Sequence, residues 1–235
     1  MPTFSFSKIV DLTHTIYHGM PVWPTLPQPK YEYTAWAARD LYTMTVITQM
    51  TTHTGTHLDA PAHFVPDGKT VDKVPIEKFA GEGVALDISY KKAGEEITLK
   101  DLKQFDSEIK EGEVVMIYTG WDKKRGLNKE YLFMWPHLGI EAAKYLVSKK
   151  IKAVGIDGLS IGGWMDKVPA QGPVAKSSPV EVHQILLGAE IIIIEELANL
   201  DKVLDGKKTA RAFFVYAPLK LVGAEGSPCR AIALV

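Results

Sequence analysis

Cysteine is nearly absent from this chain: among 235 residues only Cys229 carries a thiol. An internal disulfide is excluded, and so is any metal site built from several thiolates. Charge of one sign is also missing, because 27 Lys and Arg stand against 28 Asp and Glu for a net charge of −1. No strong field therefore draws the chain to nucleic acid or to an anionic membrane. Long apolar runs are lacking too. The most apolar stretch, "EIIIIEEL", holds four isoleucines between charges, far short of the roughly 20 residues that span a bilayer. The N-terminal "MPTFSFSKIV" has no apolar segment of signal-peptide length, so a cytoplasmic location is expected. Internal repeats, low-complexity tracts and charge blocks are not found. "GIDGLSIGG" is glycine-rich but fits neither a Walker loop nor a good dinucleotide fingerprint. Cys229, in "GSPCRA", has no sequence-local partner and reads as a small buried residue rather than a nucleophile.

What is present suits one large domain, taken as residues 1–235. "YTMTVITQM", "GVALDIS", "EVVMIYTGW", "IKAVGID", "EIIIIEEL" and "RAFFVYAPLKLVG" are strand candidates rich in β-branched and aromatic residues. Helices are expected near 100–110, 139–150 and 179–187. These alternations predict an α/β fold with a mixed sheet. The segment "GMPVWPTLPQPK" has four prolines in twelve residues and must run as an extended surface loop, which holds Trp23 on a stiff backbone.

Three of the seven histidines fall in one window, "HTGTHLDAPAHF", residues 53–64. His53 and His57 are four apart, which a helix would place on one face. The surrounding threonines, Gly55 and Pro61 argue against a helix. An extended chain puts His53, His57, Asp59 and His63 on one face instead, with Gly55 leaving room among them for something bulky. Such a crowd of half-charged groups is costly unless a cation or a proton network compensates. A metal site is the better reading than a set of hydrogen-bonded structural histidines.

His183 lies in the last expected helix, whose start is marked by Ser178 as N-cap, Pro179 in the first turn and Glu181 completing a capping box, and whose end is marked by Gly188. Alone, His183 reads as a packed histidine among apolar neighbours. The isoleucine strand that follows ends in Glu195 and Glu196, however, and in α/β sheets sites gather at strand ends. Glu196 reads equally well as a solvated strand-end charge. Asp157 and Trp121 end other strands and suit either a pocket or a structural role.

Imidazoles and carboxylates without thiolate suit zinc, manganese or iron. A carboxylate such as Asp59 can bridge two metals, and a metal-bound water with its pKa lowered to about 7 is a nucleophile at neutral pH. Hydrolysis is the natural reaction, and a histidine beside the metals could carry the proton to the leaving group.

The window matches H-x-G-T-H-x-D-x-P-x-H-F throughout, and "DLTHTIYHGMPVWP", "TGW", "GID", "IEELANL" and "APLKLVGAEGSPCRA" extend the likeness over nearly the whole chain. The sequence thus resembles the cyclase-family metal-dependent hydrolases, and within them the bacterial kynurenine formamidases. That resemblance implies two divalent metals, zinc or else manganese, held by His53, His57, Asp59, His183 and Glu195. It also implies that His63 is the proton carrier and that Trp23 stacks on a small aromatic amide substrate. A swivelling β/β/α-type fold and a homodimer or higher assembly are further implications. Two stretches depart from the formamidase pattern: Ser160 is followed by Ile161-Gly162, and "VWP" by Thr25-Leu26. An isatin-like lactam hydrolase is therefore the second enzyme reading, and a non-catalytic metal-binding scaffold is the reading from another class.

Overall fold

The computed structural model describes residues 5–164 and 179–235. In chain order the strands are β1 (Ile9–Asp11), β2 (Lys30–Ala35), β3 (Met44–Gln49), β4 (His57–Asp59), β5 (Ala80–Asp87), β6 (Glu96–Ile97), β7 (Val114–Tyr118), β8 (His137–Leu138), β9 (Ala153–Ile156), β10 (Ile192–Glu195), β11 (Thr209–Pro218) and β12 (Gly226–Leu234). The α-helices are α1 (Ala37–Asp40), α2 (Leu99–Lys103), α3 (Lys129–Phe133), α4 (Ile140–Ser148), α5 (Pro179–Gly188) and α6 (Leu200–Leu204).

The main sheet runs β1-β12-β11-β5-β7-β9-β10-β4, and β4 pairs again with β12. Seven strands therefore close into a barrel, with β1 attached outside the ring on β12. The run β5-β7-β9-β10 is parallel and the remaining pairs are antiparallel, so the expected mixed α/β sheet is present. Two cores form on its two faces. Ile192 and Ile194 point inward with Met116, Phe214 and Tyr216, whereas Ile191 and Ile193 point outward beneath Val182 and Leu186 of α5. A strand buried on both sides needs apolar residues at every position rather than at alternate ones, which accounts for the isoleucine run. Among the described residues no helix is long and apolar enough to cross a membrane.

The sequence reading holds for α4 and α5 and for five of its six strand segments as barrel members. It requires correction elsewhere. The first expected helix, near 100–110, shortens to Leu99–Lys103 and breaks into turns; its start is fixed by a Thr98–Asp101 capping box. The strand expected within "YTMTVITQM" forms, but as one arm of the β2–β3 hairpin, a separate two-stranded sheet. β12, which joins β1, β11 and β4, was not foreseen. The cap assigned to Ser178 lies outside the described residues. The proline-rich stretch from Gly19 to Pro29 carries neither helix nor strand, as expected.

Candidate metal centre

The histidine window is not one extended strand. Only His57–Asp59 pairs as strand; His53 sits in the preceding turn, and Pro61–His63 forms a 3-10 turn. Gly55 takes φ +63°, and a Cβ there would meet Ile16 Cγ1 at 3.3 Å and Met20 Cε at 3.4 Å. The glycine thus allows a left-handed turn packed on the N-terminal segment; it does not leave room for a metal. The predicted residues nonetheless converge, through bends in place of strand alternation.

Position follows from pairing. β4 lies between β10 and β12, so His57 stands opposite Glu195, and Asp59 stands opposite Gly226 on the other side. His57 and Asp59, two apart, share a face. His53 Nδ1 approaches Asp59 Oδ1 at 3.0 Å, and His57 Nε2 lies 3.5 Å from the same oxygen. The Glu195 carboxylate spans two imidazoles, with Oε2 3.4 Å from His57 Nε2 and Oε1 3.2 Å from His183 Nε2. His183 Nε2 is also 3.7 Å from Asp59 Oδ2. Ser160 Oγ and the Ile161 N–H donate to Glu195 Oε1 at 3.0 and 2.7 Å, and this fixes the carboxylate. His57 Nδ1 donates to the Gly55 carbonyl at 2.8 Å, so its Nε2 faces the cluster.

The donor set fits a divalent cation. His57 Nε2 and both Asp59 oxygens are buried without a hydrogen-bond partner among the described residues, and orphaned donors and acceptors of this kind call for an explanation. Two triads, His53–His57–Asp59 and Asp59–His183–Glu195, each bring their donor atoms within 4.8 Å of one another and share Asp59. Imidazole with carboxylate is the ligand chemistry of zinc and its neighbours. Burial opposes charging of His53, yet Asp59 and Glu225 push its pKa up to about 10. Burial and the adjacent Glu195 act against ionisation of Asp59, but His53 and His63 hold it below the usual carboxylate value. A cation would replace these protons as the partner of the carboxylates.

His63 stands beside both triads, its ring centroid 4.2 Å from that of His53 and 6.2 Å from that of His183. It also groups with His53 and Glu225. Burial lowers its pKa below the ordinary histidine value. The triads open onto a cavity of about 280 Å³ lined by Trp23, Thr25, Leu26, His63, Phe64 and Leu159, among others. Trp23 packs against Trp164 at 5.1 Å and Trp135 at 5.7 Å between centroids, so its indole is braced by the body of the protein as well as by prolines.

Three open alternatives resolve. Glu196 is not a solvated strand end. It is 2% exposed, lies 3.4 Å from both Arg125 Nη2 and Tyr131 Oη, and has φ +51°. Asp157 is structural: buried, it accepts from the backbone N–H groups of Thr119 and Trp121 and from Thr119 Oγ1, while burial pushes its pKa up to about 7. Trp121 is a core residue, 2% exposed, that donates Nε1–H to the Tyr131 carbonyl. Glu225 was missed. It lies within "APLKLVGAEGSPCRA", one of the stretches that carry the family likeness, but no local pattern tied it to His53.

The Cyclase family model matches residues 10–162. The chain belongs to the cyclase family. Curated relatives include the kynurenine formamidase of Bacillus cereus, 30% identical with 96% of this chain and 97% of that protein covered. That of Bacillus anthracis is 31% identical at the same coverage. Among solved structures, isatin hydrolase A from Labrenzia aggregata, bound to benzyl benzoate, superposes with TM-score 0.80 at 31% identity, covering 97% of this chain and 93% of the other. An isatin hydrolase bound to the product analogue thioisatinate gives 0.83 at 25% identity, covering 97% and 92%. The cyclase-family match ends at residue 162, while His183, Glu195 and Glu225 lie beyond it. The full-length relatives cover that region.

Proposed function

We propose that this cyclase-family chain is a metal-dependent amidohydrolase acting on a small aryl amide, with an aryl formamide such as N-formylkynurenine as the leading substrate. The observation that carries the reading is the meeting of two donor triads at Asp59 on the wall of an open cavity. Five ligands exceed what one tetrahedral ion requires, so two divalent ions are assigned, zinc first and manganese as the alternative. His53, His57 and Asp59 would hold one ion, and Asp59, His183 and Glu195 the other. Bound there, divalent ions polarise a carbonyl oxygen and make water a nucleophile near neutral pH.

The chain's own residues supply the rest. Hydrolysis adds water across the C–N bond, releasing an acid and an arylamine, and the departing nitrogen needs a proton. His63 lines the cavity and is assigned no place in either triad; its neutral imidazole would accept a proton from the attacking water at a ring nitrogen and deliver it to the departing amine nitrogen. Trp23, braced by two further tryptophans, offers a flat wall for the aryl ring. A structural zinc site is closed, whereas a catalytic one faces a cavity; the cavity here favours turnover over the scaffold reading. The likeness to solved isatin hydrolases supports cyclic aryl amides as a second substrate class. Assembly as a homodimer or larger oligomer is part of the same reading and is tested by light scattering. Metal analysis joined to turnover of N-formylkynurenine, simple arylformamides and isatin tests the whole proposal. A metal-loaded protein inert toward all three would reject it.

A further inference from the structure

We propose that Glu225 is a positioning residue that fixes which nitrogen His53 presents to the metal centre; the proposal rests on the metal-dependent reading above. A ligand histidine has two ring nitrogens, only one of which can bind, and the partner of the other decides which. For His57 that partner is the Gly55 carbonyl. For His53 the arrangement is reversed: Nδ1 faces Asp59 at 3.0 Å and Nε2 faces Glu225 Oε1 at 3.2 Å. Of the two contacts only Nε2–Glu225 has hydrogen-bond geometry, while Asp59 Oδ1 is left without a hydrogen-bond partner among the described residues; a carboxylate oxygen only accepts, so Nε2 carries the hydrogen and Nδ1 is the nitrogen left for ligation. The two neighbouring histidines thus turn opposite edges to one centre.

The surroundings of Glu225 are built for this orientation. Thr52 Oγ1 donates to the same Oε1 at 2.7 Å, which aims the carboxylate. The Ala60 N–H donates to the Glu225 carbonyl at 2.8 Å, tying its backbone to the end of the ligand strand β4. Gly226 follows, and the absence of a Cβ there lets the imidazole approach the backbone; an added methyl would stand 2.9 Å from His53 Cε1 and 3.2 Å from Nε2. Glu225 also groups with His53 and His63 as a third donor set. His53 Nε2 cannot both donate to Glu225 and bind a cation, so the geometry favours orientation over ligation.

The test uses the full-length chain, stripped by chelator and reloaded with Zn²⁺ in competition with a chromophoric chelator. Glu225→Ala should weaken Zn²⁺ affinity about 10- to 100-fold, with the number of ions at saturation unchanged and the melting temperature of the stripped chain close to wild type. Glu225→Gln, whose amide oxygen still accepts from Nε2–H, should restore most of that loss. Nitrogen-15 spectra of the Zn²⁺-loaded protein should show His53 protonated at Nε2 in the wild type and in Glu225→Gln only. Wild-type affinity in Glu225→Ala overturns the proposal, as does an equal loss in Glu225→Gln. Fewer ions at saturation in Glu225→Ala would make Glu225 a ligand and overturn it too. A wild-type protein that binds no Zn²⁺ at all would instead reject the metal-dependent reading itself.

Discussion

Thr56, 1% exposed between Gly55 and His57, ties three segments together through one hydroxyl. Its Oγ1 donates to the Glu196 carbonyl at 2.5 Å and accepts from the His14 N–H at 2.9 Å, while its own carbonyl accepts from Cys229 N–H at 3.0 Å. Thr56→Val keeps the shape and removes only the hydroxyl, so two backbone groups lose their partner. Each such group costs about 1–3 kcal/mol when left unpaired out of water, and the His14 end is only part-buried, so the lower half of the range applies to it. The expected loss is about 2–5 kcal/mol, a large fraction of a total stability of roughly 5–15 kcal/mol. At about 2–4 °C per kcal/mol for a chain of this size, the melting temperature should fall by roughly 4–20 °C. Urea unfolding with chelator present isolates this effect from metal binding, and the midpoint should drop without a change in slope. Thr56→Ser, which keeps the hydroxyl, should cost no more than about 1 kcal/mol. A loss below about 1 kcal/mol in Thr56→Val, or equal losses in both variants, would show that this hydroxyl does not hold the segments together.

Metal removal should itself destabilise the chain: an ion at a hundred times its dissociation constant adds about 2.7 kcal/mol, and chelation should lower the melting temperature by roughly 5–10 °C, whereas Asp59→Asn should lose this response because both triads lose a ligand. His63→Ala should retain its metal on elemental analysis while hydrolysis drops roughly 10²–10⁴-fold; loss of metal would make His63 a ligand. Trp23→Ala should weaken aryl substrates by about 1–3 kcal/mol in kcat/KM relative to a small non-aromatic formamide, and equal effects on both would make the residue architectural. At α2, burial opposes ionisation of Asp101, but Lys91 at 2.7 Å, Thr98 and Tyr90 hold its pKa down at about 2, against an ordinary 3.8. The carboxylate's contribution is complete above about pH 4 and is lost as pH falls towards 2, so Asp101→Asn should flatten the acid limb of a stability profile over that window.

Residue identity was legible where chemistry imposed it, and backbone path was not. The histidine window announced a candidate site because few structures need His53, His57, Asp59 and His63 so close. The same window hid its shape, because a left-handed Gly55 and a 3-10 turn at Pro61 can bring the residues together as well as a strand can. Glu195 and Glu196 looked alike in sequence. What separates them is that Glu195 ends β10 opposite His57, whereas Glu196 follows the strand in a left-handed conformation and meets Arg125 and Tyr131. β12 escaped notice because Gly226 and Pro228 at its start disfavour a strand, and there its pairing is with β4. Glu225 could not be found from local pattern, since its partner His53 lies far away in the chain.

The strand that carries His57 and Asp59 is also the one that closes the barrel. Its neighbours, Ile193 and Gly226 opposite Asp59, come from late in the sequence, so the two side chains reach their final positions only after β10 and β12 have docked. Such long-range pairings are slow to form, because the entropy of closing the intervening loop is lost before any contact compensates. During refolding, the ability to retain a metal ion should therefore appear late, in step with the last native structure to be acquired.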